Sequence, residues 1–546
     1  MKRLFSLALA AAAGACLALS AALFAAPFAA PLAATVPDGK RWWSFVEALA
    51  NDEMQGRNTG SPEHLKAAQY VAAEFARLGL KPAGVQANGM QGFIQPVKFK
   101  GRKLVESGCS LELIRGGKAE RLVLGEDAMI GVRVDPAESV EAPLVFAGYG
   151  LTVPESKYDD FAGLDVRGKI VVMIAGGPSD IPGPLKSHYQ FVTERARFLK
   201  QAGVAGTVTI QNPRTADIPW SRVALARFQE AMSLADPSLS DDAGLKIGVT
   251  MNPDHADKWF AGSGHDLKEM LALVDAGKPL PRFPLVPGLR AKVKVERRDL
   301  ESQNVAGIRP GTDAALKNEY VVLSAHLDHV GVGEPINGDR IYNGAMDDAS
   351  GVAALLDIAA ALNEGKVQTK RSLLFLAVTG EEKGLLGSRY FAAHPTVALK
   401  SLAADLNMDM FLPLYPLRLA TVWGLNESDL GDLARRVSKS LDVEVQDDPQ
   451  PQRNVFIRSD QYSFIRRGVP SLMMAFGYTV GSKEEAIAKQ WLTDRYHAPS
   501  DDLNQPVDMK AAGQYNRLMM TLAEAVANNP ARPKWKADSF FRRFAQ

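Results

Sequence analysis

Cysteine is nearly missing from this 546-residue chain, with Cys16 and Cys109 the only two. Cys16 falls in an amino-terminal apolar run, so a mature protein without that run has one cysteine and no intramolecular disulfide. An excess of either charge is missing as well. Lys plus Arg number 63 against 62 for Asp plus Glu, a formal net charge of +1, so nothing suggests the basic surface of a nucleic-acid binder or the polybasic patch of a membrane-surface protein. The expected partner is a small molecule or a peptide. Beyond residue 34 no stretch is apolar enough to cross a bilayer, and there is no internal repeat or long low-complexity segment. The length excludes one ordinary core and predicts two or more packed units.

What is present begins with Met1-Lys2-Arg3 and an Ala/Leu/Phe-rich run to about Ala34, with small residues at Ala29-Ala30 and Ala33-Ala34. This has the form of an export signal over residues 1–34. An uncleaved anchor is the alternative, but Pro27 and Pro31 interrupt the run where a cleavage site is wanted. Cys16 offers a lipidation alternative, although the usual Leu three residues earlier is absent and apolar sequence continues beyond it. The expected location is periplasmic or extracellular, with no membrane contact once the signal is removed.

Helical spacing of apolar residues runs from Trp42 to Leu78, and Gly79 with Pro82 predicts its end. From about residue 100 to 296 the texture changes to short β-type runs, such as Ala142–Ala147 and Lys169–Ile174, around a helix at Thr193–Gln201. This stretch is expected to be a smaller α+β unit inserted into a larger one built from 35–99 and 297–546, and to form a lid over its site. In the larger unit, strands at Tyr320–Ala325, Ser372–Val378, Leu402–Asn407 and Ser471–Ala475 alternate with helices at Ser350–Leu362, Ser388–Ala393, Leu430–Leu441 and Ala511–Ala527. The alternation predicts an α/β fold with a mostly parallel sheet covered on both faces.

Such sheets carry their sites at the carboxyl ends of the strands. Those ends read His326-Leu327-Asp328, Thr379-Gly380-Glu381-Glu382 and Asn407-Met408-Asp409, while Asp347-Asp348 opens a helix and Tyr496-His497 comes late in the chain. Each piece alone has a plainer reading, as a surface pair, a solvated acidic turn or a helix cap. Together they supply two imidazoles and several carboxylates at loop positions, a donor set suited to zinc, with cobalt and manganese as alternatives. Adjacent acids there repel each other and are a poor structural choice without cations. One carboxylate can bridge two ions with a water between them.

His326-Leu327-Asp328, Gly344 to Gly351, Thr379 to Ser388, Asn407 to Met410 and Tyr496-His497 together resemble the five metal-site blocks of the M28 family of zinc aminopeptidases and carboxypeptidases. Phe146 to Gly150 and Asp165 to Val171 resemble the protease-associated domain that several members carry. The resemblance implies a zinc-exopeptidase fold and a peptide substrate. It also implies two zinc ions per chain, with Asp347 bridging, His326 and Asp409 completing one site, and Glu382 and His497 the other. Asp328 is implied to orient His326 through its other ring nitrogen, and Glu381 to act as general base.

Two positions depart from the family pattern. Gln461 stands where many members have His after Ser-Asp, which bears on substrate contacts, and Phe456 stands where one branch has a Tyr near the reacting carbonyl. His64, His188, His255, His265, His329 and His394 match no block. An amino-terminal specificity is expected, because Asp348, Asp460 and Glu381 are spare acids suited to a cation. Arg453 and Arg458 keep a carboxypeptidase as the alternative. A metal-free receptor-like protein and a glutaminyl cyclase share the fold, but the full set of five ligand positions and the acids at 381, 382 and 409 argue against both.

Overall fold

The computed structural model describes residues 37–545 other than 88, 89, 214, 215, 217 and 242. The stretch 1–34 read as an export signal, with Cys16, lies outside the described residues. Four strands form the middle of a ten-stranded sheet, in the order Ser372–Val378, Tyr320–His326, Leu402–Asn407 and Ser471–Phe476. Their near-continuous apolar sequences match burial on both faces, and all three pairings among them are parallel. Alternate side chains divide the two faces. Val321, Leu323 and Ala325 pack under the helices Gly39–Ala50, Pro62–Arg77, Ser350–Glu364 and Met509–Asn528, whereas Val322, Leu374 and Leu376 meet Phe391 and Phe464 on the other side.

The sheet as a whole is mixed rather than mostly parallel. Val295–Arg309 pairs antiparallel with Ser372–Val378, Ile94–Leu104 pairs antiparallel with Val295–Arg309, and at the far end Leu419–Trp423 runs antiparallel to Ser471–Phe476. Parallel neighbours require a crossover, which Ser350–Glu364 and Leu386–Ala393 supply for the central strands. Ile94–Leu104 and Val295–Arg309 instead bracket an excursion whose return lies beside its departure.

That excursion builds a second sheet of eight strands between Ser110 and Lys292. Ser139–Ala147, Ile170–Ile174, Gly206–Ile210 and Ile247–Met251 are parallel at its centre, around a separate core that includes Phe146, Trp259 and Phe260. The ladder from Val295↔Leu104 to Val305↔Ile94 belongs to the larger sheet, and Ala231–Leu234 from the middle of the excursion extends that sheet's edge.

The helical run expected from Trp42 to Leu78 is two helices, Gly39–Ala50 and Pro62–Arg77. Gln55, Gly56, Arg57 and Gly60 between them adopt positive φ, which a helix excludes. Ser61 starts the second helix by accepting from the His64 N–H, with Pro62 in its first turn. Start signals overrode an apolar spacing that continues through them.

The two sheets are joined by buried polar contacts. The helix Gly183–Gln190 presents His188, whose Nδ1 lies 2.7 Å from the Tyr462 hydroxyl, and Arg466 reaches Glu194 at 2.8 Å. Burial, helped by nearby Arg466 and Arg543, pushes the His188 imidazole down to about 4. A base held neutral in the fold contributes stability that is complete above its ordinary value near 6.5 and is lost as pH falls toward 4. Between pH 7.5 and 5 this one group is expected to cost on the order of 2 kcal/mol. Urea denaturation at both pH values should therefore show a smaller acid loss for His188→Gln than for wild type, and an equal loss in the two proteins would refute the assignment.

Candidate metal centre

Parallel register places the reactive ends on one rim. His326 is level with Val378, and Ser324 with Asn407, so His326, the pair Glu381-Glu382 and Asp409 emerge side by side. Asp347 arrives from the turn Ala345–Ala349 that precedes Ser350–Glu364, and its peptide bond to Asp348 is cis. His497 follows the helix Lys483–Arg495.

Asp347 stands between two sets of residues. Its Oδ1 is 3.2 Å from His326 Nε2, which is also 3.6 Å from Asp409 Oδ1. Its Oδ2 is 3.2 Å from His497 Nε2, which is 3.1 Å from Glu382 Oε2. Two atoms bound to one zinc at about 2.0–2.1 Å in a tetrahedron lie about 3.3 Å apart. The buried Asp347 Oδ2 and Glu382 Oε1 accept no hydrogen bond, which suits atoms that serve an ion.

The local field favours positive charge. Although burial opposes it, Asp347 and Asp409 hold the His326 imidazole well above its usual range, and Glu382 with Asp347 raises His497 to about 10. Burial and Glu382 push the Asp347 carboxyl up, but His329, His326 and His497 outweigh them and hold it below the usual range. The residues present therefore fit a pair of divalent cations.

Residues 304–523 match the family model described as Peptidase family M28. This part of the chain is similar to that family. A relative from Aspergillus oryzae named "probable leucine aminopeptidase 2" is 30% identical over 294 residues, covering 52% of this chain and 55% of that protein. A "Probable zinc metalloprotease" from Pyrenophora tritici-repentis is 38% identical over 93 residues, covering 17% and 21%. The chain thus spans about half the length, or less, of these curated relatives. Among solved structures, an aminopeptidase from Aneurinibacillus sp. strain AM-1 superposes with a TM-score of 0.55 at 21% identity, covering 91% of this chain and 95% of that one, a likeness of fold.

Within the matched segment the neighbouring acids divide their work. Asp348 is buried and accepts from the backbone N–H groups of His326, Gly351 and Met410 at 3.2, 2.9 and 3.3 Å, so it braces three loops and is not a spare acid. Asp460 is also buried and does not line the cleft, which leaves Glu381 as the one of the three expected spare acids that does. Burial, with Glu382 and Asp409 adding repulsion and His326 opposing, holds the Glu381 carboxyl well above its usual range.

The expected role of Asp328 also changes. His326 Nδ1 meets the Asp328 backbone carbonyl at 3.0 Å, while the Asp328 carboxylate accepts from the Glu381 N–H at 3.1 Å and the Thr59 hydroxyl at 2.8 Å. A two-residue separation lets the carbonyl reach the ring while the side chain turns to the neighbouring strand end. Gln461 is buried too, accepting from Asn407 Nδ2 at 2.9 Å and donating to the Phe456 carbonyl at 3.0 Å, so it holds loops together beneath the rim.

The cleft at the rim is lined by His326, Asp347, Glu381, Asp409 and His497 and by apolar Leu412, Trp423, Met473 and Phe476. Arg453, Arg458 and Asp448 also line it. Among the described residues, none between 100 and 296 does. The inserted unit instead touches the outer side of the loops, where Arg133 donates to the Lys383 carbonyl at 2.7 Å and Ser187 to Asn454 Oδ1 at 2.6 Å. The expected lid is a buttress here.

Sequence reasoning missed Arg57. Buried completely, it donates to the carbonyls of Leu327 (2.9 Å), Leu49 (2.6 Å), Asn343 (2.7 Å) and Gly344 (2.9 Å), tying the His326 loop to the Asp347 loop. Burial pulls its guanidinium down to about 10, still charged at neutral pH. From the other side, Asp501 accepts from the Met346 and Asp347 N–H groups at 2.9 and 3.1 Å. Arg57→Met strands four buried carbonyls and several carboxylates, so a loss of about 3 kcal/mol or more is expected in chemical denaturation. Arg77→Met, which removes an exposed pair with Glu74, should cost under about 1 kcal/mol. Similar losses for the two variants would show that the clamp does little.

Proposed function

We propose that the chain is an exopeptidase with two zinc ions that removes residues from the free amino terminus of peptides. The observation that carries this reading is the placement of Asp347, whose two oxygens face two different sets of imidazole and carboxylate. His326 and Asp409 would hold one ion, and Glu382 and His497 the other. When bound, zinc supplies Lewis-acid polarisation of water and of the scissile carbonyl. Glu381 lines the cleft with its backbone anchored on Asp328, so it is placed to take a proton from the attacking water and return it to the leaving amine.

The carboxylates in the cleft lining suit a terminal ammonium, and the apolar Leu412, Trp423, Met473 and Phe476 suit an apolar first side chain. The name of the Aspergillus oryzae relative, "probable leucine aminopeptidase 2", agrees with both. Arg453 and Arg458 in the same lining favour a carboxypeptidase as second reading. Residues 1–34 support export to the periplasm or beyond, and the inserted unit is read as protease-associated-like. Among the described residues no helix is long and apolar enough to cross a membrane.

A defined peptide library followed by mass spectrometry should show shortening from the amino end, fastest for apolar first residues and abolished by amino-terminal acetylation. Shortening from the carboxyl end, indifferent to acetylation, would reverse the assignment. Glu381→Gln should keep its zinc but lose turnover by about a hundredfold or more, since a positioned general base contributes roughly 10²–10⁴ in rate. Glu382→Gln should weaken one metal site, with activity partly restored by added zinc. Equal zinc loss in the two variants would show that the adjacent glutamates have been assigned wrongly.

A further inference from the structure

Resting on the two-ion reading, we propose that His329 is a further nitrogen ligand, joining Glu382 and His497 on the second ion. Its ring is completely buried, held by a backbone bridge to Asn58 and seated against Gly344, where an added Cβ would come within 2.4 Å of His329 Cγ. Nδ1 lies 2.9 Å from Glu382 Oε1 and 3.8 Å from Asp347 Oδ2. His497 flanks the other oxygen of the same carboxylate at 3.1 Å, its ring edge-on to His329 with centroids 5.7 Å apart.

The decisive feature is that neither Nδ1 nor Nε2 of His329, nor Glu382 Oε1, makes a hydrogen bond. A nitrogen and an oxygen 2.9 Å apart whose contact lacks hydrogen-bond geometry are close enough to attract but are not aimed squarely at each other. They are arranged as neighbours around a third centre. A buried imidazole serving only as packing leaves its polar atoms unpaired, which is costly, and one serving only to orient Glu382 would point its N–H along the contact. The small residue at 344 gives the ring its place beside Asp347.

The two ions are then chemically unlike. The His326 and Asp409 site offers one imidazole, whereas the Glu382 site offers two, and a borderline metal such as zinc is held more firmly by the richer nitrogen set. Loading and stripping should proceed in two steps, with the Glu382 site filled first and emptied last.

The test is titration of the metal-free full chain with Zn²⁺ against a competing chelator, checked by elemental analysis, and with Co²⁺ followed by its visible spectrum. Wild type is expected to take two ions with unequal affinities. In His329→Ala and His329→Gln the tighter constant should weaken by about 100-fold or more, beyond the 10- to 100-fold typical of lost outer-shell partners. The weaker constant should stay within about threefold, and the spectrum of the first Co²⁺ bound should change. His329→Gln keeps most of the volume and carries the test if the alanine variant does not fold. Unchanged constants in a folded variant, or full rescue by Gln of a loss seen with Ala, would overturn the ligand role while leaving the two-ion reading intact. Failure of wild type to bind two ions would overturn both.

Discussion

Buried negative charge is the constraint on which this molecule depends. Asp328, Asp347, Asp348, Asp409, Asp460 and Asp501 are all buried near the carboxyl ends of the central strands, with Glu381 and Glu382 beside them. Isolated ionised carboxylates in such a place are very costly unless cations or N–H groups answer them. Part of the answer is internal. Arg57 sits beneath the rim, three imidazoles sit within it, and backbone N–H groups point at Asp328, Asp348 and Asp501. What is left over falls on Asp347 and Glu382, each with one buried oxygen that lacks a hydrogen bond, and on both oxygens of Asp460. The scaffold satisfies Asp328, Asp348 and Asp501 and leaves unsatisfied oxygens on Asp347 and Glu382 at the centre.

The larger sheet makes that concentration possible. Parallel strands end on one edge, so residues scattered from 326 to 409 in sequence become neighbours without long loops. Antiparallel additions on either side widen the platform without adding ends to that rim. The inserted unit then props the outer side of the loops through Lys383 and Asn454, adding rigidity where the strand ends have no neighbours of their own.

Much of this was legible because the sequence is locally consistent. Strands at 320, 372, 402 and 471 are short, apolar and bounded by turns, and their observed limits lie within a residue or two of the pattern. His326, Glu382 and Asp409 were legible because they lie at or just beyond the ends of those strands, whereas Asp347 and His497 border helices. The polarity of the outer strands was not, since nothing in Ile94–Leu104 or Val295–Arg309 states which neighbour it will choose. Arg57 was hidden for a related reason. The carbonyls it serves belong to residues 49, 327, 343 and 344, and a carbonyl leaves no mark in a sequence. His329 was passed over because it matches no family block, and its meaning appears only when Gly344 and Glu382 are brought to it.

The motifs are dense because each one performs two tasks. In Asp347-Asp348 the first acid faces the ions while the second clamps the backbone of His326, Gly351 and Met410. In Glu381-Glu382 the order is reversed, with the second acid at the centre and the first in the cleft. In His326-Leu327-Asp328 the ring faces the ions, the Asp328 carbonyl fixes that ring, and the Asp328 carboxylate holds the Glu381 backbone. A chain of N–H to carboxylate contacts therefore runs from one loop to the next, so that displacing any loop disturbs a reactive group on another. Precision at the centre follows from this mutual bracing, because His326, Asp347 and Glu381 are each held by an acid from another loop.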